Sequence, residues 1–582
     1  MVCSRWSRLS QDDVCIWSEY AVRWYRGLGA CCARTMILVL ATGCLAMAAQ
    51  DSGGLWNTRW RANGSSPQEE FGEAVAAIAD LDADGASEVI VGASRWDGLN
   101  VNEGACFLYS GKSGNQLLLL PGGQEIGGLG TAVAGVGDVN GDGFPDFAAT
   151  APGHSPYGHQ EGSVYVYSGA NGAQLLRMNG IGAGDGLGNY VAGAGDIDGD
   201  GLADVLVGNP GDDVFGFLNG ASYVYSGLDG RELRVLGGVW SNNGRSGDGL
   251  GDVNCDGVPD LVISDGFALS FGGGSVAVYS GADGSMLYRV QNPVSYDDFG
   301  RSVANVGDIN RDGTNDFIVG APATISDRRK GRAYVYSGSD GSKIFDLWGD
   351  THLDAFGWDV AGPEDVNGDG YPDLLVGAPF SGLGSPGAVF IHSGYDGGLL
   401  AKLRGENLGD EFGYSVAGTT DVNADGLADV IAGAYGADYG GDFSGSVYLY
   451  ELHSYLGIEP RTVSASVGGL VAFTLDFPSS EAGRGWRLLA STDRPGQTRA
   501  GGVHVPLADS LILTRMLHDP PAVFSSTAGI LDASGDASVT ATLAPGQVAA
   551  WVGSTLRFAA VSFDPPKSPR LSSAGMRISV VP

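Results

Sequence analysis

The chain is 582 residues long, carries a formal charge of −34, and contains 97 glycines against only 17% charged residues. That glycine content excludes an architecture of long helices and points to short strands joined by tight turns. The negative charge excludes nucleic acid and anionic membrane as partners, since both repel an acidic surface, and points to bound cations instead.

In chain order, the first residues read as a leader. Arg26 and Arg34 precede an apolar run from Met36 to Met47, which ends among Ala46, Ala48 and Ala49. The run is too short for a transmembrane helix and a small-residue cleavage pattern follows it, so residues 1–49 are expected to direct secretion and be removed. The stretch before Met36 is long for a signal peptide, which makes Met36 a candidate start beside Met1. An alternative reading takes Leu40-Ala41-Thr42-Gly43-Cys44 as a lipoprotein processing site, with the product anchored through Cys44. Cys3, Cys15, Cys31, Cys32 and Cys44 all fall in the leader. Only Cys106 and Cys255 remain, at different points of the repeat described next, so no disulfide framework is expected. No later apolar stretch is long enough to cross a membrane, and no transmembrane segment is expected.

Across residues 50–456 one unit recurs seven times, each copy built around an acidic loop of the form D-x-D/N-x-D-G-x-x-D/E. The loops begin at Asp80, Asp138, Asp196, Asp252, Asp308, Asp365 and Asp421, spaced 56 to 58 residues apart. An apolar stretch such as Thr131-Ala-Val-Ala-Gly-Val leads in and a run such as Leu374-Leu-Val-Gly-Ala-Pro leads out. An alternating segment such as Gly-Ser-Val-Tyr-Val-Tyr-Ser-Gly (162–169) follows, whose period of two marks a strand with one buried face. A Ser-Gly-x-Asp-Gly turn, as at Ser226 to Gly230, then leads into a fourth strand. Four antiparallel strands per repeat make one blade of a propeller, so the expected fold is all-β, a seven-bladed β-propeller.

The end units test this reading. The seventh repeat stops after Val447-Tyr-Leu-Tyr450 and lacks its fourth strand, while Trp56 to Ala62 matches that strand and stands ahead of the first repeat. The N-terminal segment is therefore expected to complete the last blade and close the ring, which removes the open sheet edges. From about 457 to 582 the repeat vanishes, and alternating patches (Val471 to Phe477, Trp486 to Ala490, Val539 to Leu543, Leu556 to Phe563) predict a small C-terminal β-sandwich-like domain.

The loops carry the chemistry. A hard divalent cation takes six to eight oxygens, and a short loop supplies them only by bending around the ion. Positions one, three, five and nine offer side-chain oxygens and the glycine at six permits the bend. The candidate ligands are Asp80, Asp82, Asp84 and Glu88; Asp138, Asn140, Asp142 and Asp146; Asp196, Asp198, Asp200 and Asp204; Asp252, Asn254, Asp256 and Asp260; Asp308, Asn310, Asp312 and Asp316; Asp365, Asn367, Asp369 and Asp373; and Asp421, Asn423, Asp425 and Asp429. Oxygen donors without a Cys/His cluster favour Ca2+ over soft metals, at up to seven sites. Asp-Gly and Asn-Gly also form hairpin turns without metal. Seven loops sharing the key positions favour the cation, since clustered carboxylates otherwise repel one another in every blade. Seven divalent ions would move the formal charge from −34 to about −20. The fourth loop contains Cys255 and lacks a Phe-Gly pair ahead of it, so weaker binding is expected there.

The Phe-Gly pairs (71–72, 299–300, 356–357, 412–413), the acidic loops and Gly-Ala-Pro (320–322, 377–379) recur in one order, and together they resemble the FG-GAP repeats of integrin α-subunit propellers over roughly residues 55–455. The resemblance implies calcium in the hairpin loops on one face and a cell-surface or matrix interaction. The departures are Gly208-Asn-Pro and Ser264-Asp-Gly in place of Gly-Ala-Pro, with no inserted ligand-binding domain, so integrin-like heterodimerisation is not implied. The whole chain, with its leader and β-rich tail, looks like secreted bacterial FG-GAP repeat proteins. The expected function is a secreted or cell-surface, calcium-binding, adhesion-like module for an extracellular protein or glycan, and not an enzyme.

Two enzymes compete with that reading. A calcium-dependent polysaccharide lyase or hydrolase would need a rim base, for which His154 and His159 beside Tyr157 and Glu161 are the candidates. A quinone-dependent dehydrogenase shares the Tyr-Ser-Gly-x-Asp-Gly turn but needs a tryptophan docking pattern that is missing. The Tyr-rich strands (Tyr165, Tyr167, Tyr223, Tyr225, Tyr334, Tyr336) are read as blade packing.

Overall fold

The computed structural model describes residues 56–452 apart from 83, 216–218, 238–240, 268–273, 293–296, 324–329 and 424, and beyond 452 mainly the strands between 456 and 581. The leader, with Cys44 and Met36, lies outside the described residues. Every regular element described is a strand.

Seven four-stranded antiparallel sheets follow one another along the chain. Blade one consists of Ala74–Ile78, Glu88–Ala93, Ala105–Ser110 and Gln116–Pro121, from the innermost strand outward. The innermost strands touch in sequence order, and that of blade seven (Phe412–Gly418) returns to that of blade one, so the sheets form a closed ring. Blade seven takes its outer strand from the other end of the chain. Trp56–Asn63 pairs antiparallel with Ser446–Leu452, from Trp56 opposite Leu452 to Asn63 opposite Ser446. Closure by the N-terminal segment is thus as the sequence predicts.

The packing explains the patterning of the strands. The apolar core is divided among seven gaps, each between neighbouring blades. In the third strand of blade two (Ser163–Tyr167), Val164 and Val166 fill the gap toward blade three while Tyr165 and Tyr167 fill the gap toward blade one. Both faces of that strand are buried, which corrects the expectation of one buried face. In a ring every blade has a neighbour on each side, and the alternation divides small from large side chains, not buried from exposed ones. The tyrosines are packing residues, as read from the sequence.

Each Phe-Gly pair anchors one gap. Phe412 is fully buried, with Tyr448 and Tyr450 edge-on at ring distances of 5.5 and 5.7 Å. Phe412→Ala is expected to destabilise the protein by about 3–5 kcal/mol in urea unfolding. A loss below about 1 kcal/mol would mean that the gap is not a packed core.

Blade four departs from the others as its sequence does. Its first strand, Ser241–Gly251, and second, Asp260–Phe267, run long, and Asn243 bridges to Gly220 where Leu129, Leu187 and Phe412 bridge to the glycines of other blades. Beyond Leu452, the described strands form a three-stranded sheet, a six-stranded sheet and a small hairpin. Val471, Phe473 and Val539 of the first sheet and Leu488, Phe558 and Ala560 of the second are buried, and the Phe473 and Phe558 rings lie 5.0 Å apart. Two sheets meeting through apolar faces are the sandwich-like arrangement expected of this segment.

Candidate metal centres

All seven acidic loops connect the first strand of a blade to the second, so the topology places them on one face of the ring. Their internal bonding is the same throughout. The carboxylate at position one accepts hydrogen bonds from the backbone N–H groups of positions five and six at 2.6–3.2 Å in every loop. The carboxylate at five accepts from the N–H of seven at 2.8–3.0 Å. The glycine at six has φ between 86° and 95° in all seven, the conformation for which its lack of a Cβ is needed. In the five loops where it is described, position four also turns left-handed, and there Cys255 and Arg311 stand at φ 62° and 63° where the other three have glycine.

Position nine does more than the sequence reading assigns to it. One oxygen of each acid accepts from the N–H of position two (Leu81, Val139, Ile197, Val253, Ile309, Val366, Val422) at 2.7–3.0 Å. In blades two to six the other oxygen accepts from the first glycine of the Ser-Gly turn, at 2.9–3.2 Å. Position two in turn packs into the gap toward the following blade: Leu81 lies against the first such gap, and the other six are buried in theirs. Each acidic loop is therefore bolted both to its own blade and to the core that holds the next.

The same geometry explains the first glycine of the Ser-Gly turn. A Cβ on Gly169, Gly227 or Gly281 would stand 1.9 Å from the carbonyl oxygen of Pro145, Ala203 or Pro259, the residue at loop position eight. Close approach of two backbones demands glycine there, while the second glycine of the turn is the one with positive φ, for example 72° at Gly230.

The loops differ in how well they fit a cation. Among the described residues, carboxylates converge in two: Asp80, Asp82, Asp84 and Glu88 each bring an oxygen within 4.8 Å of the others, and so do Asp196, Asp198 and Asp204. The buried Oε1 of Glu88 accepts no hydrogen bond, nor does the buried Oδ1 of Asp429 in blade seven, which lacks the Ser-Gly turn. A buried carboxylate oxygen without a donor is costly, and a divalent cation satisfies it. In loop three Arg231 already takes one oxygen of Asp198 at 2.7 Å. In loops four, five and six the side-chain amides of Asn254, Asn310 and Asn367 donate to the acid at position nine. Loop one therefore fits a hard cation best.

Burial, then the neighbouring carboxylates, push Glu88 up to about 8, and burial with the same repulsion raises Asp429 to about 8. Burial also lifts Asp316 to about 6. These acids hold protons in the metal-free folded chain above the pH at which they lose them unfolded. Such groups stabilise the fold below the unfolded value, and that contribution is lost as pH rises through the folded value. The melting temperature of metal-free protein is therefore expected to fall between about pH 5 and pH 8, and saturating calcium should flatten the profile. A metal-free profile that rises over this range would contradict the assignment.

The proposed rim catalysts are otherwise engaged. His154 is buried, with Nδ1 2.7 Å from Ser163 Oγ, and burial followed by the Arg177 charge holds it below its usual range. Glu161 accepts from the backbone N–H groups of Tyr157 and His159, and so staples its own loop. His154 and Glu161 thus take part in building the loop. No helix among the described residues is long and apolar enough to cross a membrane.

Comparison with known proteins agrees with this architecture. The FG-GAP repeat family matches residues 129–167, 188–226, 299–336, 356–392 and 412–450, which are blades two, three, five, six and seven. Mouse integrin alpha-3 is 37% identical over 139 residues, 22% of this chain and 13% of that protein. Integrin alpha pat-2 of Caenorhabditis elegans is 31% identical over 229 residues, 33% of this chain and 18% of that protein. Human integrin alpha-7 is 40% identical over 138 residues, 22% of this chain and 11% of that protein. The chain thus spans less than a fifth of the length of these relatives.

Proposed function

Since the chain carries FG-GAP repeats in a closed propeller similar to those of integrin α-subunits, we propose that it is a calcium-stabilised interaction module of the cell exterior, non-enzymatic, whose ligand is an extracellular protein or glycan. Residues 1–49 are its secretion leader, 50–456 the propeller and 457–582 a separate β-rich domain.

The observation that carries the calcium reading is the first loop, where four acids converge around a buried carboxylate oxygen with no donor. Asp80, Asp82, Asp84 and Glu88 would hold that ion, and the corresponding residues of the other loops would hold theirs, with four carboxylates in loop three and three in each of the remaining five. The ion supplies charge neutralisation and a rigid loop, not reaction chemistry. The interaction reading rests on the likeness to integrin α-subunits and on the engagement of His154 and Glu161 in structure.

Glycan-array and pull-down measurements on the secreted protein in calcium test the function. Saturable binding without turnover is expected, whereas depolymerisation of a bound polysaccharide would replace this reading with the lyase or hydrolase.

A further inference from the structure

Near the start of each blade's innermost strand stands a glycine of positive φ (Gly72, Gly130, Gly188, Gly244, Gly300, Gly357, Gly413), and the next residue lies within the strand or one or two residues ahead of it. Because the acidic loops leave the other end of that strand, these residues (Glu73, Thr131, Asn189, Arg245, Arg301, Trp358 and Tyr414) ring the axis on the opposite face. None is fully buried. Contacts run in ring order across blades three to seven, with Asp298 joining blades four and five. Asn189 donates to the Arg245 carbonyl at 2.8 Å, Arg245 binds the Asp298 carboxylate with both terminal nitrogens, Arg301 stacks 3.8 Å over the Trp358 ring, and Trp358 lies 5.4 Å from Tyr414.

Arg301 is the unusual member. Among the described residues its guanidinium makes no hydrogen bond and no ion pair, although two carboxylates are close enough to influence it. Asp298 is taken by Arg245, and Asp359 accepts from Ser302 Oγ and from the Val416 N–H, both at 2.8 Å. Burial and the neighbouring Arg245 charge hold Arg301 below its ordinary range. A partly dehydrated guanidinium whose plane is fixed by stacking, with five donors unfilled, is organised for a carboxylate that arrives from outside. The mouth carries acids as well, Glu73 in the ring and Asp298 and Asp359 beside Arg301, so it suits one carboxylate at Arg301 and not an extended acidic surface. The aromatic rings are occupied by one another and by Arg301: Phe380 packs on Trp358, and Tyr435 lies 4.2 Å from Tyr414. The mouth therefore offers the end of Arg301 and not a ring face for a sugar.

We propose that the axial mouth opposite the acidic loops receives the carboxylate of an acidic side chain of a protein partner, with Arg301 as its donor. This rests on the reading of the chain as an interaction module and specifies the end of the ring that binds.

Fluorescence anisotropy in calcium with a labelled Gly-Gly-Glu-Glu-Gly-Gly peptide and its glutamine counterpart tests it. The acidic peptide is expected to bind the full protein at least tenfold more tightly. Arg301→Gln should abolish that preference, and the exposed Arg404→Gln should keep it. Equal affinity for the two peptides, or an undiminished preference in Arg301→Gln with an unchanged melting curve, would overturn the proposal. So would displacement of the peptide by acetate or glucuronate at the peptide's own concentration, which would make the site a receptor for small anions or acidic sugars. The peptide preference is read on the unaltered protein, so a variant that fails to fold still leaves the test decisive. Failure here removes the carboxylate seat alone, while failure of the glycan and pull-down experiments removes the module.

Discussion

Removal of divalent cations with excess EGTA is expected to lower the melting temperature of the protein by more than about 10 °C. Each site held at a hundred times its Kd contributes about 2.7 kcal/mol to the folded state. About 1 kcal/mol shifts the melting of a 150–250-residue chain by about 2–4 °C. The effect passes from loop to fold by a definite route. The position-nine acid ties position two, which plugs the gap toward the next blade, to the Ser-Gly turn of its own blade. Without the ion the acids at one, five and nine repel one another, and the plug loosens with them. Excess calcium should restore the original curve. Melting that is indifferent to EGTA would show that the loops stand as hydrogen-bonded turns alone.

Deletion of residues 56–63 is expected to abolish cooperative unfolding near the wild-type urea midpoint. The strand supplies the outer edge of blade seven and also crosses to blade one. Trp60 Nε1 donates to the Gly111 carbonyl at 2.7 Å, and its ring lies 6.0 Å from Tyr109. Arg59 pairs with Glu451 at 2.7 Å and Arg61 with Glu406 at 3.0 Å. Its loss leaves Ser446–Leu452 as an open edge and strips Trp56, Trp60 and Ala62 from two of the seven gaps. Truncation of a large buried aromatic costs about 3–5 kcal/mol. Domains are stable by only about 5–15 kcal/mol in total. An equal truncation at the C-terminus removes Met576–Val581 from its own sheet and leaves the ring closed. A deletion variant with an unchanged midpoint and an unchanged slope in urea would contradict closure by this strand.

Much of this was legible in the sequence because repetition averages out local ambiguity. Seven copies of one loop fix the number of blades, and the missing fourth strand of repeat seven with its match at Trp56 fixes the closure. The glycine at loop position six is readable because positive φ is a local property. What stayed hidden depends on neighbours. The first glycine of each Ser-Gly turn is set by the carbonyl of loop position eight. The double bonding of Asp146 or Asp204 requires knowing which turn folds over which loop. Arg301 gave no signal, since its register against Trp358 appears only when seven segments separated by about 56 residues are brought around one axis. The inequality of the loops was partly visible: Glu88 stands where the other six have aspartate and repeat seven lacks the Ser-Gly turn, and these are the two loops whose position-nine acid leaves a buried oxygen without a donor.

Calorimetric titration of calcium into metal-free, folded protein tests the central claim most directly. The expected result is saturable binding of several ions per chain, with one equivalent lost in Asp80→Asn/Asp82→Asn. No binding at millimolar calcium, in protein that keeps its melting transition, would contradict it.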